Sequence, residues 1–271
     1  MPNPIPYSSD DSAALGALKR AAGGAVALGL LATLAIAGGV GLLLGAPTPV
    51  AASAAAIYLA AAGVGWRWLA QHLPNRRLGA ANAVTITRAA LVACLAGLLP
   101  VALGVGAQWT AAAGWCAIAL STTALSLDGV DGWAARRFGR ASPFGARIDQ
   151  ELDALTTLLL AALLWSTGVA GVWVLAAGLW RRLFLAGQAL VPALRGALPF
   201  SRFRRIACGW SVGLLIAALG PIFPGWLQTG LAALAVGLVS TSFLRDIIWL
   251  ARTSKDAGSP RTPSTDGGFE T

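Results

Sequence analysis

The chain has 271 residues, of which 56% are hydrophobic and 11% are charged, and its mean hydropathy is +0.70. Because soluble domains contain about 25% charged residues, this composition excludes an ordinary soluble protein. It indicates an all-α, polytopic integral membrane protein, since a helix of roughly 20 apolar residues crosses a bilayer. Arginines in cytoplasmic loops account for the net charge of +9, so no nucleic-acid partner is expected.

The apolar stretches predict about eight transmembrane helices. The first is longer than the hydrophobic core of a signal peptide, which has roughly 7–15 residues, so we expect it to be retained. The second is rich in alanine and gives the weakest signal. In chain order, the predicted helices lie near residues 25–44, 50–66, 84–103, 109–128, 152–170, 171–192, 207–222 and 226–249.

Five regions follow from these helices and from the polar segments around them. The first two helices form a hairpin, and the other six form a separate core. The predicted regions are a disordered polar N-terminus (1–24), the transmembrane hairpin (25–66), an interfacial segment (67–81), the six-helix core (82–250) and a flexible tail (251–271).

Positive charge alternates between the loops that connect the predicted helices. The loops after the first, third, fifth and seventh helices are uncharged, whereas the loops between them and the C-terminal tail carry arginines. Because Lys and Arg accumulate on the cytoplasmic side of a membrane, this alternation predicts that both termini are cytoplasmic. Residues 127–157, here called the acidic window, connect the fourth and fifth predicted helices. The alternation also predicts that this window lies at the cytoplasmic face.

This window contains every acidic residue between positions 12 and 245. Asp128 and Asp131 are three residues apart, and Asp149 and Asp153 are four apart, so each pair lies on one face of a helix. Two such helices that face each other would gather four carboxylates. Together with a substrate diphosphate, these could hold one or two Mg²⁺ or Mn²⁺ ions.

Other residues at ordered spacings accompany the aspartates. Gly132 and Gly145 allow a ligand or backbone to approach closely, and Ala135 keeps the same wall small. Arg136 can bind a phosphate through two parallel hydrogen bonds. The whole pattern resembles the signature of the CDP-alcohol phosphatidyltransferase family, and the helices around it extend the resemblance over about 82–250. The pattern consists of Asp128, Asp131, Gly132, Ala135, Arg136, Gly145, Asp149 and Asp153.

The resemblance implies a membrane enzyme of phospholipid biosynthesis, active at the cytoplasmic face. Such an enzyme transfers a phosphatidyl group from CDP-diacylglycerol, or a similar CDP-linked lipid, to an alcohol acceptor and releases CMP. By analogy, Asp128, Asp131 and Asp149 bind the metal, and Asp153 is the expected base and a further metal ligand. Gly132, Ala135, Arg136 and Gly145 would shape the CDP pocket, and the family leads us to expect a homodimer.

A second motif opens the third predicted helix. Asn82, Thr85 and Arg88 follow one side of a helix and resemble the Asn-x-x-Thr-x-x-Arg of the same family. The resemblance assigns Asn82 and Thr85 to CDP binding and Arg88 to the acceptor. Without it, Asn82 is a helix cap and Arg88 a cation whose side chain reaches toward the membrane surface.

Further arginines are candidates for binding the acceptor. Arg181 and Arg182 fall well inside the sixth predicted helix, where charge normally faces a cavity or a partner, and Arg205 precedes the seventh. Several arginines would suit a phosphorylated acceptor such as glycerol 3-phosphate or inositol phosphate. A shifted sixth helix, or contact of Arg205 with anionic lipid, would explain the same residues without an acceptor.

Two other functions remain as alternatives. An intramembrane prenyltransferase also binds a diphosphate through Mg²⁺ with pairs of aspartates, although its two motifs normally lie in separate halves of the chain. A transporter also uses membrane carboxylates, as a proton or cation relay. It is expected to spread them along a pathway, whereas here they form one cluster.

Overall fold

A computed structural model of the chain describes residues 9–69, 80–138, 143–190 and 202–257. Within these ranges the protein is 88% helical and contains no strand, which confirms the predicted all-α class. The helices are α1 (Ser9–Leu44), α2 (Pro47–Trp68), α3 (Ala80–Ala96), α4 (Leu99–Ala102), α5 (Ala111–Phe138), α6 (Pro143–Ser166), α7 (Ala176–Leu190), α8 (Arg202–Ala218) and α9 (Gly225–Ala257), with a 3₁₀ turn at Val172–Leu175 before α7.

Helix α1 begins earlier than the sequence predicted. Of the predicted disordered N-terminus (1–24), residues 1–8 lie outside the described ranges, whereas residues 9–24 belong to α1, which passes through the segment AALGALKRAA. Alanine, leucine, lysine and arginine are all strong helix formers, which explains the extension. A tight turn then joins α1 to α2: Gly45 adopts φ +74°, and Pro47 occupies the start of α2, where its missing N–H needs no partner.

Among the described residues, four helical stretches are long and apolar enough to cross a membrane: Gly16–Leu44, Pro47–Arg67, Ala83–Ala102 and Gly225–Leu250. A shorter apolar helix covers Ile206–Ala218. These stretches indicate an integral membrane protein. Helix α5 has a lower hydropathy because it carries several hydroxyl side chains. Some of these hydroxyls, such as those of Ser121 and Thr123, donate hydrogen bonds to backbone carbonyls one turn earlier in the same helix.

Helix α3 is the central helix of the fold. It contacts α1, α2, α5 and α6, and residues 90–96 are all buried. In the apolar stretch that begins in α3, 61% of the residues are buried, whereas the corresponding fractions are 22% in α1 and 17% in α2. Helices α1 and α2 therefore lie at the periphery, and exposed side chains such as Leu28, Leu31 and Leu42 give α1 a surface suited to lipid.

Two predicted regions lie mostly outside the described ranges. Residues 70–79 of the predicted interfacial segment are among them, as is the end of the predicted tail, 258–271. The start of that tail, in contrast, continues α9 as far as Ala257.

Candidate active site

Three helices bring charged side chains together at the same end of the bundle. Arg88 lies midway along α3, Asp128 lies in the second half of α5, and Asp149 and Asp153 lie in the first half of α6. Because α3 packs between α5 and α6, it carries its arginine to the carboxylates of both neighbours.

Arg88 contacts three aspartates with one guanidinium group. Its Nη1 lies 2.7 Å from Oδ1 of Asp128 and 3.3 Å from Oδ1 of Asp149. Its Nη2 contacts Oδ1 of Asp153. Such charge-assisted hydrogen bonds are stronger than neutral ones, and the planar guanidinium suits several carboxylates at once. The contacts define a cluster, here called the Arg88 cluster: Arg88, Asp128, Asp149 and Asp153.

The arginine and the carboxylates of the Arg88 cluster differ in exposure. Arg88 is only 3% exposed. The side chains of Asp128, Asp149 and Asp153 are 37%, 35% and 56% exposed. The positive group is therefore enclosed by protein, whereas the carboxylates keep surface that a ligand can reach.

On α6, the side chains of Asp149 and Asp153 point in a different direction from that of Glu151, which lies between them in the sequence. The two aspartates are four residues apart and share a helix face, whereas Glu151 points to another face. Glu151 Oε2 accepts a hydrogen bond from Nη2 of Arg182 at 3.0 Å. Arg182 thus lies beside α6 with its side chain 61% exposed.

The side chains of several predicted site residues lie outside the described part of the structure. Helix α5 continues through 131–136, and Asn82, Arg181 and Arg205 fall within α3, α7 and α8, but only their backbone is described. Gly145 lies in the first turn of α6. Thr85 is partly buried, one turn before Arg88. The roles assigned to all these residues stay predictions.

The donor atoms of the Arg88 cluster fit a divalent cation in chemical type. Carboxylate oxygens are the ligands that Mg²⁺ and Mn²⁺ prefer, and three carboxylates converge here on one positive group. These four side chains carry an excess of negative charge, which also favours a cation. Within the described ranges, no group of three or more acidic, histidine or cysteine side chains has the geometry of a metal site. In the Arg88 cluster, the guanidinium of Arg88 lies between the carboxylates.

The contact of Arg88 with the aspartates was not part of the sequence prediction, which assigned this arginine to the acceptor. Only one signal pointed to it: an arginine inside an apolar helix normally has a charged partner. The sequence does not say which partner, because Arg88 and Asp153 are 65 positions apart.

Comparison with known proteins agrees with the resemblance noted in the sequence. Residues 78–242 match the family model described as CDP-alcohol phosphatidyltransferase. The archaetidylinositol phosphate synthase of Aeropyrum pernix is 35% identical over 134 residues, which are 49% of this chain and 57% of that relative. No solved structure matches the chain. The family match covers more than half of the chain and includes the whole Arg88 cluster, so the chain belongs to the CDP-alcohol phosphatidyltransferase family.

Proposed function

We propose that this protein transfers a phosphatidyl group from CDP-diacylglycerol, or from a similar CDP-linked lipid, to an alcohol acceptor, and that it releases CMP. The observation that carries the proposal is the Arg88 cluster, in which three carboxylates from two helices meet inside the region that matches the family. Family membership argues against the prenyltransferase and transporter alternatives.

Asp128, Asp131 and Asp149 would hold the divalent metal on which this family generally depends. When bound, Mg²⁺ or Mn²⁺ neutralises charge on the diphosphate and on the departing CMP. Asp128 and Asp149 keep about a third of their side-chain surface accessible, which supports a role as ligands. Gly132, Ala135, Arg136, Gly145, Asn82 and Thr85 would line the CDP pocket.

Asp153 is the proposed base. It is the most exposed of the three aspartates, so an acceptor hydroxyl can reach its carboxylate. The hydroxyl oxygen forms a bond to the phosphorus that carries the lipid, and its proton passes to Asp153. The bond between this phosphorus and the CMP oxygen breaks, and its electron pair leaves on CMP.

Arg88 is a positioning residue in this mechanism. Its burial and its three contacts support a role in holding the aspartates of α5 and α6 at a fixed separation. The assignment of Arg88 to the acceptor stays a prediction.

The acceptor is proposed to be phosphorylated, with inositol phosphate first and glycerol 3-phosphate second. The relative from Aeropyrum pernix is named for an archaetidylinositol phosphate product, which supports inositol phosphate. Arg181, Arg182 and Arg205 are the candidate ligands for its phosphate group. Arg182 supports this assignment because its largely exposed guanidinium lies beside α6, on which the proposed base stands.

The proposed membrane arrangement has about eight spans, both termini in the cytoplasm and the site at the cytoplasmic face. The core would cover 82–250, close to the family match at 78–242. A homodimer is proposed from family membership.

The test is CMP release by the purified full-length protein with Mg²⁺ or Mn²⁺. CDP-diacylglycerol and a CDP-linked archaeal ether lipid serve as donors. The acceptors are inositol phosphate, glycerol 3-phosphate, inositol, serine and phosphatidylglycerol. We expect CMP release that depends on the acceptor and stops when the metal is chelated. Folded protein that binds neither donor would refute the transferase proposal.

A further inference from the structure

An apolar cavity lies between the α1–α2 hairpin and helices α3 and α6. Its volume is about 120 Å³, and almost all of its surface is apolar. Alanines and a glycine form much of the hairpin wall and leave space there, and the larger side chains of Tyr58 and Trp66 line the same cavity. Its walls include Ala25, Ala62 and Gly65 from the hairpin, Ala89 from α3, and Ile148 and Leu152 from α6.

The cavity lies directly beside the Arg88 cluster. Ala89 follows Arg88 on α3, and on α6 Ile148 and Leu152 precede the two aspartates of the cluster. Successive residues on a helix point about 100° apart. The same two helices therefore present charged groups on one face and the wall of the cavity on the neighbouring face.

The cavity is elongated along α2. Its wall on that helix runs from Tyr58 to Trp66, a distance of about 12 Å at the rise of an α-helix. At one end α1, α2 and α3 meet closely, because a Cβ on Gly29 would clash with the Tyr58 hydroxyl and lie 2.7 Å from Cγ2 of Ile86. The Tyr58 hydroxyl donates to the Val26 carbonyl at 3.1 Å, so its polar group is satisfied by the protein.

We propose that this cavity receives one apolar chain of the CDP-linked lipid donor. The inference rests on the proposed function, which brings the donor's diphosphate to the Arg88 cluster. The lipid chains start only a few bonds from that diphosphate, and they need apolar surroundings next to it. The wall offers few polar partners to a nucleotide or a sugar phosphate: the Tyr58 hydroxyl is already bonded, and Thr85, one turn before Arg88, marks the side where the cavity approaches the proposed CDP pocket.

The inference also assigns a role to the N-terminal hairpin. The family match begins at residue 78, whereas most of the cavity wall comes from residues 22–69. The hairpin thus adds a binding surface for the lipid chain to a core that carries the chemistry.

Two glycines of α2 provide a matched pair of variants. A Cβ on Gly65 would lie 3.7 Å from Cδ1 of Ile148, an ordinary contact on the cavity side, whereas a Cβ on Gly63 meets nothing within 4 Å. Gly65→Leu therefore fills the cavity, and Gly63→Leu adds the same side chain on an exposed face. The measurement is kcat/KM for a long-chain CDP-linked donor and for CDP-glycerol, which has no chains.

We expect Gly65→Leu to lower kcat/KM for the long-chain donor about tenfold, as expected for displacing roughly two methylene groups from an apolar site. The value for CDP-glycerol should stay unchanged, and Gly63→Leu should change neither value. Equal losses with both donors, or equal effects of the two variants, would overturn the inference.

Photo-crosslinking of the unmodified protein tests the inference without relying on a folded variant. A CDP-linked lipid with a diazirine in one chain should label residues 58–66 of α2. Unlabelled CDP-linked lipid should suppress this labelling, and phosphatidylcholine should not. Labelling elsewhere, or equal suppression by phosphatidylcholine, would overturn the inference even if the protein releases CMP. Absence of CMP release from every donor and acceptor would instead count against the proposed function.

Discussion

Arg88 links the three helices of the candidate site through a single guanidinium group. The contacts that it makes with Asp149 and Asp153 span 61 and 65 positions of the chain. Because Arg88 is buried, the cost of removing its charge from water is offset only while the carboxylates remain beside it. The arginine and the aspartates therefore depend on one another for stability.

Replacing Arg88 by Gln should destabilise the protein. The change leaves three neighbouring carboxylates without their shared cation, and breaking a buried ion pair costs roughly 3 kcal/mol or more. Because the carboxylates are 35–56% exposed and water can solvate them after the change, we expect a smaller loss of about 1–3 kcal/mol. Unfolding of the purified protein in detergent measures it, and Mn²⁺ should restore part of the loss.

Arg182→Gln is the matched control for this prediction. Arg182 also pairs with a carboxylate of α6, but it is largely exposed, and exposed ion pairs contribute about 1 kcal/mol at most. Arg88→Lys should give an intermediate loss, since an ammonium keeps the charge but not the planar geometry. Equal stability of Arg88→Gln and wild type would show that the contacts of Arg88 contribute nothing.

Asp153→Asn should abolish transfer in a protein that remains folded. Asn cannot accept the proton of the acceptor hydroxyl, so we expect kcat to fall by at least about 10³-fold. The decisive readout is single-turnover CMP release with donor binding measured in parallel. Glu151→Gln, on another face of the same helix, should retain most of the activity at saturating acceptor. Turnover by Asp153→Asn near the wild-type rate would refute the assignment of the base.

At the level of the helices, a close contact between α6 and α7 positions part of the site. A Cβ on Gly178 would lie 2.5 Å from the Cα of Leu158, so the backbones touch at this point. Leu158 is little more than one turn beyond Asp153 on α6. The glycine therefore allows α7 to pack directly against the helix that carries two aspartates of the site.

Gly178→Ala should force α6 and α7 apart and destabilise the protein. Overpacking at a close contact costs about 1–3 kcal/mol, which exceeds the helix propensity that alanine adds. The loss can be measured by thermal unfolding in detergent. Gly237→Ala in α9 is the control, because a Cβ there meets nothing within 4 Å, and it should be neutral or slightly stabilising. A stabilising effect of Gly178→Ala would contradict the contact.

Helix α2 illustrates why hydropathy alone gives a weak signal for some membrane helices. Alanine is the best helix former but adds little apolar surface, so an Ala-rich segment has modest hydropathy. Such a segment can nevertheless pack closely, as α2 does against α1 and α3. Its Ser53 hydroxyl also donates to the Ala96 carbonyl of α3 at 3.2 Å.

For the whole molecule, the distribution of charge and tryptophan suggests an orientation. The connections at one end, including 45–46 and 103–110, carry no charge, whereas the opposite end carries the Arg88 cluster and Arg182. Exposed Trp66 lies near the charged end and exposed Trp226 near the uncharged end, as expected for residues at the two membrane surfaces.

Cysteine labelling tests this orientation. In a variant without the native cysteines, Val105→Cys should react with a membrane-impermeant maleimide added to intact cells. Ser259→Cys, in the C-terminal tail, should react only after the membrane is permeabilised, because the tail follows the charged end of α9. Labelling of both positions from the outside would contradict a cytoplasmic C-terminus.

Composition and local spacing are enough to predict the all-α class, the family and the helix face that Asp149 and Asp153 share. These properties depend on composition and on spacings of three or four residues, which a helix converts directly into geometry. The pairing of Asp149 with Asp153 on one face of α6 is such a case.

Tertiary packing selects which helices meet. It brought Arg88 of α3 to the aspartates of α5 and α6, and it left an apolar cavity beside them where the small residues of α1 and α2 face α3. Small residues and a lone arginine fit many packing partners equally well. The choice among partners comes from the packing of the whole bundle, over separations that no local pattern encodes.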